Sequence, residues 1–369
     1  MEESTGIKGF MKIDIYGTGV VSRIIQDIAD KHDVQVLFYI QTKPDCEFFN
    51  DKHVISPEKL RYDDVDYVIL GSDVYKQEMQ EALQKDSDAY TKNCSKIIDF
   101  EKFVDIVEPD IDFKTVKVDH GINYIYSKYD AEIGPCMERT HRNWAGDAID
   151  NLMRFSQDNL GLRTKGFFLD IGANIGTTSV YVKKLWHDFQ LIAFEPGKKN
   201  YDLLRANCIL NGVDDCRIEN IGLGDKPSEG FLFYRSYNPG GSMVVDKKTE
   251  ISQEQVTIGT LDDYLTTNGL KAEEISFIWM DTEGFEADII IGSLETLGRK
   301  AIPLVHEFDP QIYEDRGKLT EYLNIMSSTY SHFIDANAML GDDYEILPIS
   351  ELSKMIDEKK KTDLFFFRK

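Results

Sequence analysis

The chain has 369 residues, 42% of them apolar, enough for one or two buried cores, so global disorder is excluded. It carries 42 Lys and Arg against 65 Asp and Glu, a net charge of −23. A surface that negative repels phosphate backbones and anionic lipid alike, so the sequence predicts no nucleic-acid partner and no docking on anionic membranes.

No run approaches the roughly 20 apolar residues of a membrane span, so no membrane insertion is expected. The opening MEESTGIKGF lacks the apolar run of a signal peptide. The five cysteines are odd in number and scattered, with no CxxC pair. They read as reduced thiols of a cytoplasmic protein, without a zinc site or disulfide framework.

Residues 11 to about 105 repeat a strand-then-helix rhythm. MKIDIYG, VQVLFYI, VDYVILGS and SKIIDF are strands, and VVSRIIQDIADKH and VYKQEMQEALQK have helical apolar spacing. The rhythm predicts a small Rossmann-like α/β domain over residues 1–105. Gly17-Thr-Gly19-Val-Val-Ser22 follows the first strand and opens a helix, a variant of the dinucleotide fingerprint. The second strand runs into Gln41 and Thr42, where a ribose-binding acid is needed, and the nearest acid, Asp45, lies beyond Pro44. Three readings of this domain stay open: a sugar-nucleotide or phosphate site, a docking or dimerisation domain, and a dinucleotide oxidoreductase.

Residues 106–160 break the rhythm. DFKTVKVDHGINYIYSKYD alternates like a hairpin turning at HGIN, and RNWAGDAIDNLMRFSQDNLGL reads as an amphipathic helix ending near Gly161. This stretch is expected to link the two domains.

A second α/β rhythm occupies residues 161–369. GFFLDIG, FQLIAFEP, CRIENIGLGD, SFIWMDTEG and AIPLVHEF are strand candidates, and YEILPI and TDLFFFRK look like two more. Asp170-Ile-Gly172-Ala-Asn174-Ile-Gly176 follows the first of these and opens a helix. Its glycines allow a tight turn and close approach of a ligand, and the helix start offers free N–H groups. With no third glycine and no Lys-Ser/Thr, the loop suits a ligand without a pyrophosphate. Glu195 lies 25 residues beyond Asp170, at the end of the next strand, where a carboxylate takes both ribose hydroxyls. Asp225, after the third strand, is placed for an adenine amino group. Together these intervals describe S-adenosylmethionine (SAM) binding in a class I methyltransferase sheet.

LDIGANIGTTSVYV, AFEP, NYDLLRANCILNG, TLDDYL, FIWMDTEGFEADIIIGSLETL and HEF resemble the FkbM family of methyltransferases, from about Lys165 to Phe308. Where many members carry Lys-Ile or Lys-Leu before the DxEG acid, this chain has Trp279-Met280. The resemblance implies SAM-dependent O-methylation, often of sugars in polysaccharides, glycolipids or natural products, hence a sugar or glycan acceptor.

Asp281-Thr282-Glu283-Gly284-Phe285-Glu286 ends the fourth strand, beside the expected cofactor site, so Asp281 and Glu283 are candidates for contact with the acceptor or with SAM. Glu286 is read as a helix cap. His306, beside Glu307 at the end of the fifth strand, is the first candidate for general base, with Glu283 next, because its reference pKa of about 6.5 lies nearest neutrality. Ser242, in a Gly-rich loop after the third strand, and Glu307 are substrate candidates. Asp281, His306 and Glu307 could also offer ligands to a divalent ion, but no spacing is fixed, so no metal site is assigned. The competing readings are a nucleotide- or sugar-nucleotide-binding adaptor in polysaccharide assembly and an NAD-dependent oxidoreductase. The oligomeric state, a homo-oligomer included, is left open.

Overall fold

The computed structural model describes residues 10–110, 112–213, 215–235, 237–245, 248, 254–341 and 343–369. The chain folds as two units. The first takes the chain to Asp112 together with Ser127–Ala131 and Arg235–Tyr237, and the second holds Phe113–Tyr126, Glu132–Tyr234 and Asn238–Lys369. The stretch 106–160 is therefore shared out between the units rather than standing as a separate linker, with most of it in the second.

In the first unit, strands β1 (Lys12–Tyr16), β2 (Gln35–Ile40), β3 (Phe48–Phe49), β4 (Lys52–Ile55), β5 (Tyr67–Leu70) and β6 (Ile97–Ile98) form one sheet in the order β3-β4-β2-β1-β5-β6. All neighbours but β3 and β4 run parallel. Chain order thus reverses at β1, flanked by β2 and β5, which makes its carboxyl end a switch point of the kind where α/β sheets bind ligands. The helix Val20–Lys31 buries Val21, Ile25 and Ala29 against the sheet. The β3–β4 hairpin was not legible in the sequence, because it stands where a crossover helix was due and its strands are only two and four residues long.

In the second unit, β7 (Phe113–Lys117) and β8 (Asn123–Ser127) form the expected hairpin, with His120 at φ 54° in its turn. The helix Gly146–Leu160 ends where Gly161 adopts φ 63°. The main sheet then builds from β9 (Gly166–Ile171), β10 (Phe189–Phe194) and β11 (Arg217–Glu219). A smaller four-stranded sheet interrupts it: β12 (Gly222–Leu223), β13 (Ser228–Phe233), β14 (Met243–Val245) and β15 (Glu254–Gly259), in the order β12-β15-β13-β14. The main sheet resumes with β16 (Ile275–Met280), β17 (Leu304–Phe308), β18 (His332–Asp335), β19 (Leu347–Pro348) and β20 (Thr362–Phe367).

Its order is β11-β10-β9-β16-β17-β20-β18-β19. The first five are parallel, and β20 lies antiparallel between β17 and β18. Counted along the chain without β19, that is 3-2-1-4-5-7-6 with the seventh strand reversed, the sheet of class I methyltransferases. The central strands are covered on both faces, so they read as nearly unbroken apolar runs. CRIENIGLGD is not one strand. It breaks after Glu219, and its halves enter different sheets.

Candidate active site

The switch point of the large sheet lies between β10, β9 and β16, and a cavity opens at their carboxyl ends. Its polar wall comes from Gly172 and Asn174 after β9, Glu195 after β10, and Asp281, Thr282 and Glu283 after β16. Its apolar wall includes Ile221, Leu223, Leu232, Val244, Ile258 and Phe285, supplied largely by the smaller sheet. A flat aromatic base suits such a slot, and a sulfonium end suits the carboxylates.

The glycine loop is dictated by close packing. Gly172 has φ +84°, and a Cβ there would come within 1.9 Å of the Asp281 carbonyl oxygen. Gly176, at φ +89°, starts the helix Thr177–Leu185, and a Cβ there would meet Leu204 Cδ1 at 2.6 Å. Gly176 does not line the cavity, so its role is to turn the chain. Asp170 is also displaced from the expected role. It is 1% exposed, bonds Ser179 of the following helix, and does not line the cavity. It positions the loop from beneath, and burial pushes its carboxyl up to about 7.

Asn174 stands in the left-handed region at φ 50°, and its backbone N–H donates to Glu195 Oε2 at 2.9 Å. Gly197 N–H donates to Glu195 Oε1 at 2.8 Å. These two bonds hold Glu195 at the cavity, 6% exposed. Each oxygen keeps acceptor capacity for a ligand hydroxyl. Burial pushes the Glu195 carboxyl up to about 7 against those two bonds.

The turn after β16 is held by Glu286, which is fully buried and accepts from Thr282 N–H at 2.8 Å, Thr282 Oγ1 at 2.9 Å and Gly284 N–H at 3.1 Å. That staple keeps Glu283 at φ 53°, a conformation costing about 1–3 kcal/mol for a non-glycine residue and often found at functional sites. Glu286 is therefore more than a helix cap. Asp281 opens to solvent at the cavity. Its carboxyl is pushed well above the ordinary range by surrounding protein and then by Glu283, Glu307, Glu286 and Asp363. With the residue open to water, the like charges are the part that matters for its basicity.

His306 is not at the site. It is 1% exposed, with Nδ1 at 2.7 Å from the Glu307 carbonyl and Nε2 at 3.0 Å from the Tyr322 hydroxyl, and it stacks on Phe366. Burial lowers its pKa to about 4. It is a core histidine whose both nitrogens are occupied. Glu307 likewise leaves the cavity wall and pairs with Lys361 at 2.8 Å. Asp225 does not reach the cavity. Its carboxylate takes Lys318 at 2.6 Å, Lys318 lies 3.8 Å from Asp288, and Asp288 holds Arg316 at 2.9 Å. Arg316 in turn lies 4.1 Å above the Phe285 ring, so Asp225 buttresses the apolar wall.

Ser242 does line the cavity, and its Oγ and Asn174 Oδ1 are buried without a hydrogen-bond partner among the described residues. Both await a polar ligand atom. Asn200, unread in the sequence, lines the same cavity and donates to the Pro239 carbonyl at 3.1 Å, anchoring the 238–242 loop. A Cβ at Gly240 would come within 2.5 Å of Asn174 Nδ2, so this loop presses on the glycine loop. The space enclosed is about 50 Å³. Ligand pockets run about 300–1,000 Å³, so the cavity as it stands is smaller than an adenosyl group needs, with Pro239, Gly240 and Ser242 forming part of its wall. Apolar slot, buried acceptor carboxylate and unpartnered polar atoms otherwise fit SAM. Among the described residues no group of three or more His, Cys, Asp or Glu is arranged to hold a metal ion, and no helix is long and apolar enough to cross a membrane.

Sheet order and cavity together define a class I, SAM-dependent methyltransferase. Residues 170–336 match the methyltransferase FkbM domain. Residues 9–92 match a separate family, described as C2185-like, N-terminal. Among curated proteins the chain is similar to 2-O-methyltransferase NoeI of Sinorhizobium fredii, 29% identical over 43% of this chain and 70% of that one. It also resembles Methyltransferase 1 of Beauveria bassiana, at 26% over 34% of this chain and 57% of that protein. Methyltransferase sdnD of Sordaria araneosa is 33% identical over 27% of this chain, and the match spans only 39% of that protein. Among solved structures, a methyltransferase FkbM from Methylobacillus flagellatus KT aligns over 97% of this chain and 90% of its own, at 14% identity and a TM-score of 0.37. The match to a methyltransferase domain and the similarity to curated methyltransferases favour methyl transfer over the adaptor and oxidoreductase readings.

Proposed function

We propose that the protein is an O-methyltransferase whose acceptor is a sugar hydroxyl, in the making of a polysaccharide, glycolipid or natural product. The observation that carries this reading is Asp281, a carboxylate open to solvent at the switch-point cavity and made more basic by neighbouring carboxylates. The similarity to a protein named as a 2-O-methyltransferase supports oxygen as the methylated atom.

SAM, when bound, would supply a methyl group from its sulfonium sulfur by in-line displacement, the sulfur becoming a neutral thioether. Glu195 accepts the ribose hydroxyls, Leu223 and Ile258 enclose the base, and Asn174 and Ser242 give their unpartnered oxygens to the ligands. A sugar hydroxyl is too weak an acid to ionise at neutral pH, so its proton must leave as the carbon–oxygen bond forms. Asp281 takes that proton, and Glu283 orients the acceptor and raises the basicity of Asp281. The proton stays on Asp281 until it exchanges with solvent.

The test is transfer of labelled methyl from SAM to a panel of monosaccharides and oligosaccharides. Label recovered as an O-methyl sugar supports the reading. Label found only on phenols, peptides or nucleic acid overturns it.

A further inference from the structure

We propose that the first unit binds a nucleoside diphosphate, free or as the nucleotide part of an activated sugar, in a cleft at the carboxyl ends of β1, β2 and β5. The cleft encloses about 540 Å³, within the range of small-molecule sites. It lies wholly within the first unit, so the proposal does not depend on the methyl-transfer reading. Its floor is the turn Gly17-Thr18-Gly19 and Gly71, at the point where the strand order reverses.

Four features set the ligand class. The helix Val20–Lys31 starts at the cleft with no acid in its first turn, and Gly19 at the N-cap makes no side-chain cap. Its first N–H groups and the positive end of its dipole are therefore free for an anion. Second, Ser22 in that first turn is fully buried, and its Oγ has no hydrogen-bond partner among the described residues. It lies against the bare α-carbons of the cleft floor, where a Cβ at Gly17 or Gly71 would approach it to 3.1 or 2.4 Å. Ser22 does not line the cleft itself; its hydroxyl lies beneath the glycine floor, where an oxygen drawn in between the two bare α-carbons would give it a partner.

Third, the end of β2 brings Lys43 into the wall where a dinucleotide site would place an acid. A cation at that position favours phosphate over a ribose diol. Fourth, the opposite rim carries Tyr75, 57% exposed, beside Glu78 and Met79. The ring offers a stacking face for a base, and Glu78 is an acceptor for sugar hydroxyls, while its charge keeps phosphate at the Lys43 end.

The test is calorimetry on the full chain with UDP, GDP and ADP, beside inorganic diphosphate and NAD. Two variants read the site. Gly19→Asp places a carboxylate where a Cβ meets nothing within 4 Å, and Asp is a favoured N-cap, so the fold should hold. Lys43→Glu reverses the wall charge. Each should weaken nucleoside diphosphate binding at least tenfold, consistent with the loss of one charge-assisted bond, and leave SAM affinity unchanged. The proposal is overturned by no nucleoside diphosphate binding at millimolar concentration, by affinity unaltered in both variants, or by inorganic diphosphate or NAD binding as tightly as the best nucleoside diphosphate.

Discussion

Gly172 and Asp281 are pressed together across two parallel strands, so closely that a Cβ on the glycine would come within 1.9 Å of the Asp281 carbonyl oxygen. The contact locks the glycine loop to the acidic turn, joining the cofactor half of the site to its chemical half. Gly172→Ala should therefore fail through the fold, before any ligand is met. Backbone strain at φ +84° and the clash together should cost about 3 kcal/mol or more. Thermal unfolding checks it, and an unchanged Tm would show that the two turns are not locked.

His306→Ala should leave methyl transfer within about tenfold of the wild type, because a true base contributes roughly 10²–10⁴-fold. It should instead lower stability by about 2–4 kcal/mol, through the cavity left beside Phe366 and the lost partner of Tyr322. A rate loss beyond a hundredfold in a folded, SAM-binding variant would return the base to His306.

The proton acceptor has a pH signature. As the proposed proton acceptor Asp281 must be ionised to act, and the surrounding protein and neighbouring carboxylates hold its pKa up, so the rate should rise with pH through that raised value. Glu283→Gln removes a like charge, which makes ionisation of Asp281 easier and shifts the limb to lower pH. A profile moved to higher pH, or not moved, would show that Glu283 does not act on Asp281. Asp281→Asn should lose about 10²-fold or more in rate with SAM affinity held.

Strand identity and the glycine loop were legible because they are local. Apolar runs ending in DIGANIG and FEP mark strand ends whatever surrounds them, and Glu195 reached the site on that spacing alone. Side-chain direction was not legible. His306 and Glu307 are adjacent on β17, so they point to opposite faces, and only the packing of Tyr322 and Phe366 decides which face buries the imidazole. Asp225 was misplaced because its salt bridge to Lys318 spans 93 positions of sequence. The smaller sheet was missed because β12 and β14 are two and three residues long and follow polar turns. Glu286 had a signal that went unused, an acid four residues after Thr282 across a glycine.

Stability should rise on acidification from pH 8 to about 5.5. Asp14, Asp170, Glu195 and Glu286 all have carboxyls raised to about 7 by burial. Between their unfolded values and about 7 the native state binds more protons than the unfolded one. Their contribution is thus fully present below the unfolded pKa and lost as pH rises through about 7. His306, lowered to about 4, opposes this below pH 6.5 but in the second unit is one group against three, Asp14 lying in the first. The Tm should be higher by several degrees at pH 5.5 than at pH 8, at about 2–4 °C per kcal/mol for a unit of this size. A Tm that falls on acidification would mean these carboxyls are ionised in the folded protein.

Glu195 is the buried carboxylate of the switch-point cavity that we assign to the ribose. SAM binding needs no acceptor, so titrating SAM into the wild type and Glu195→Gln from pH 6 to 8 tests this assignment directly. The wild type should bind about tenfold more weakly at pH 6 than at pH 8, as the carboxyl near 7 takes up its proton. The Gln variant, with its Tm preserved, should bind about 10–100-fold more weakly at pH 8 and show no such pH dependence. A folded Gln variant that binds SAM within threefold of the wild type across that range would contradict the account.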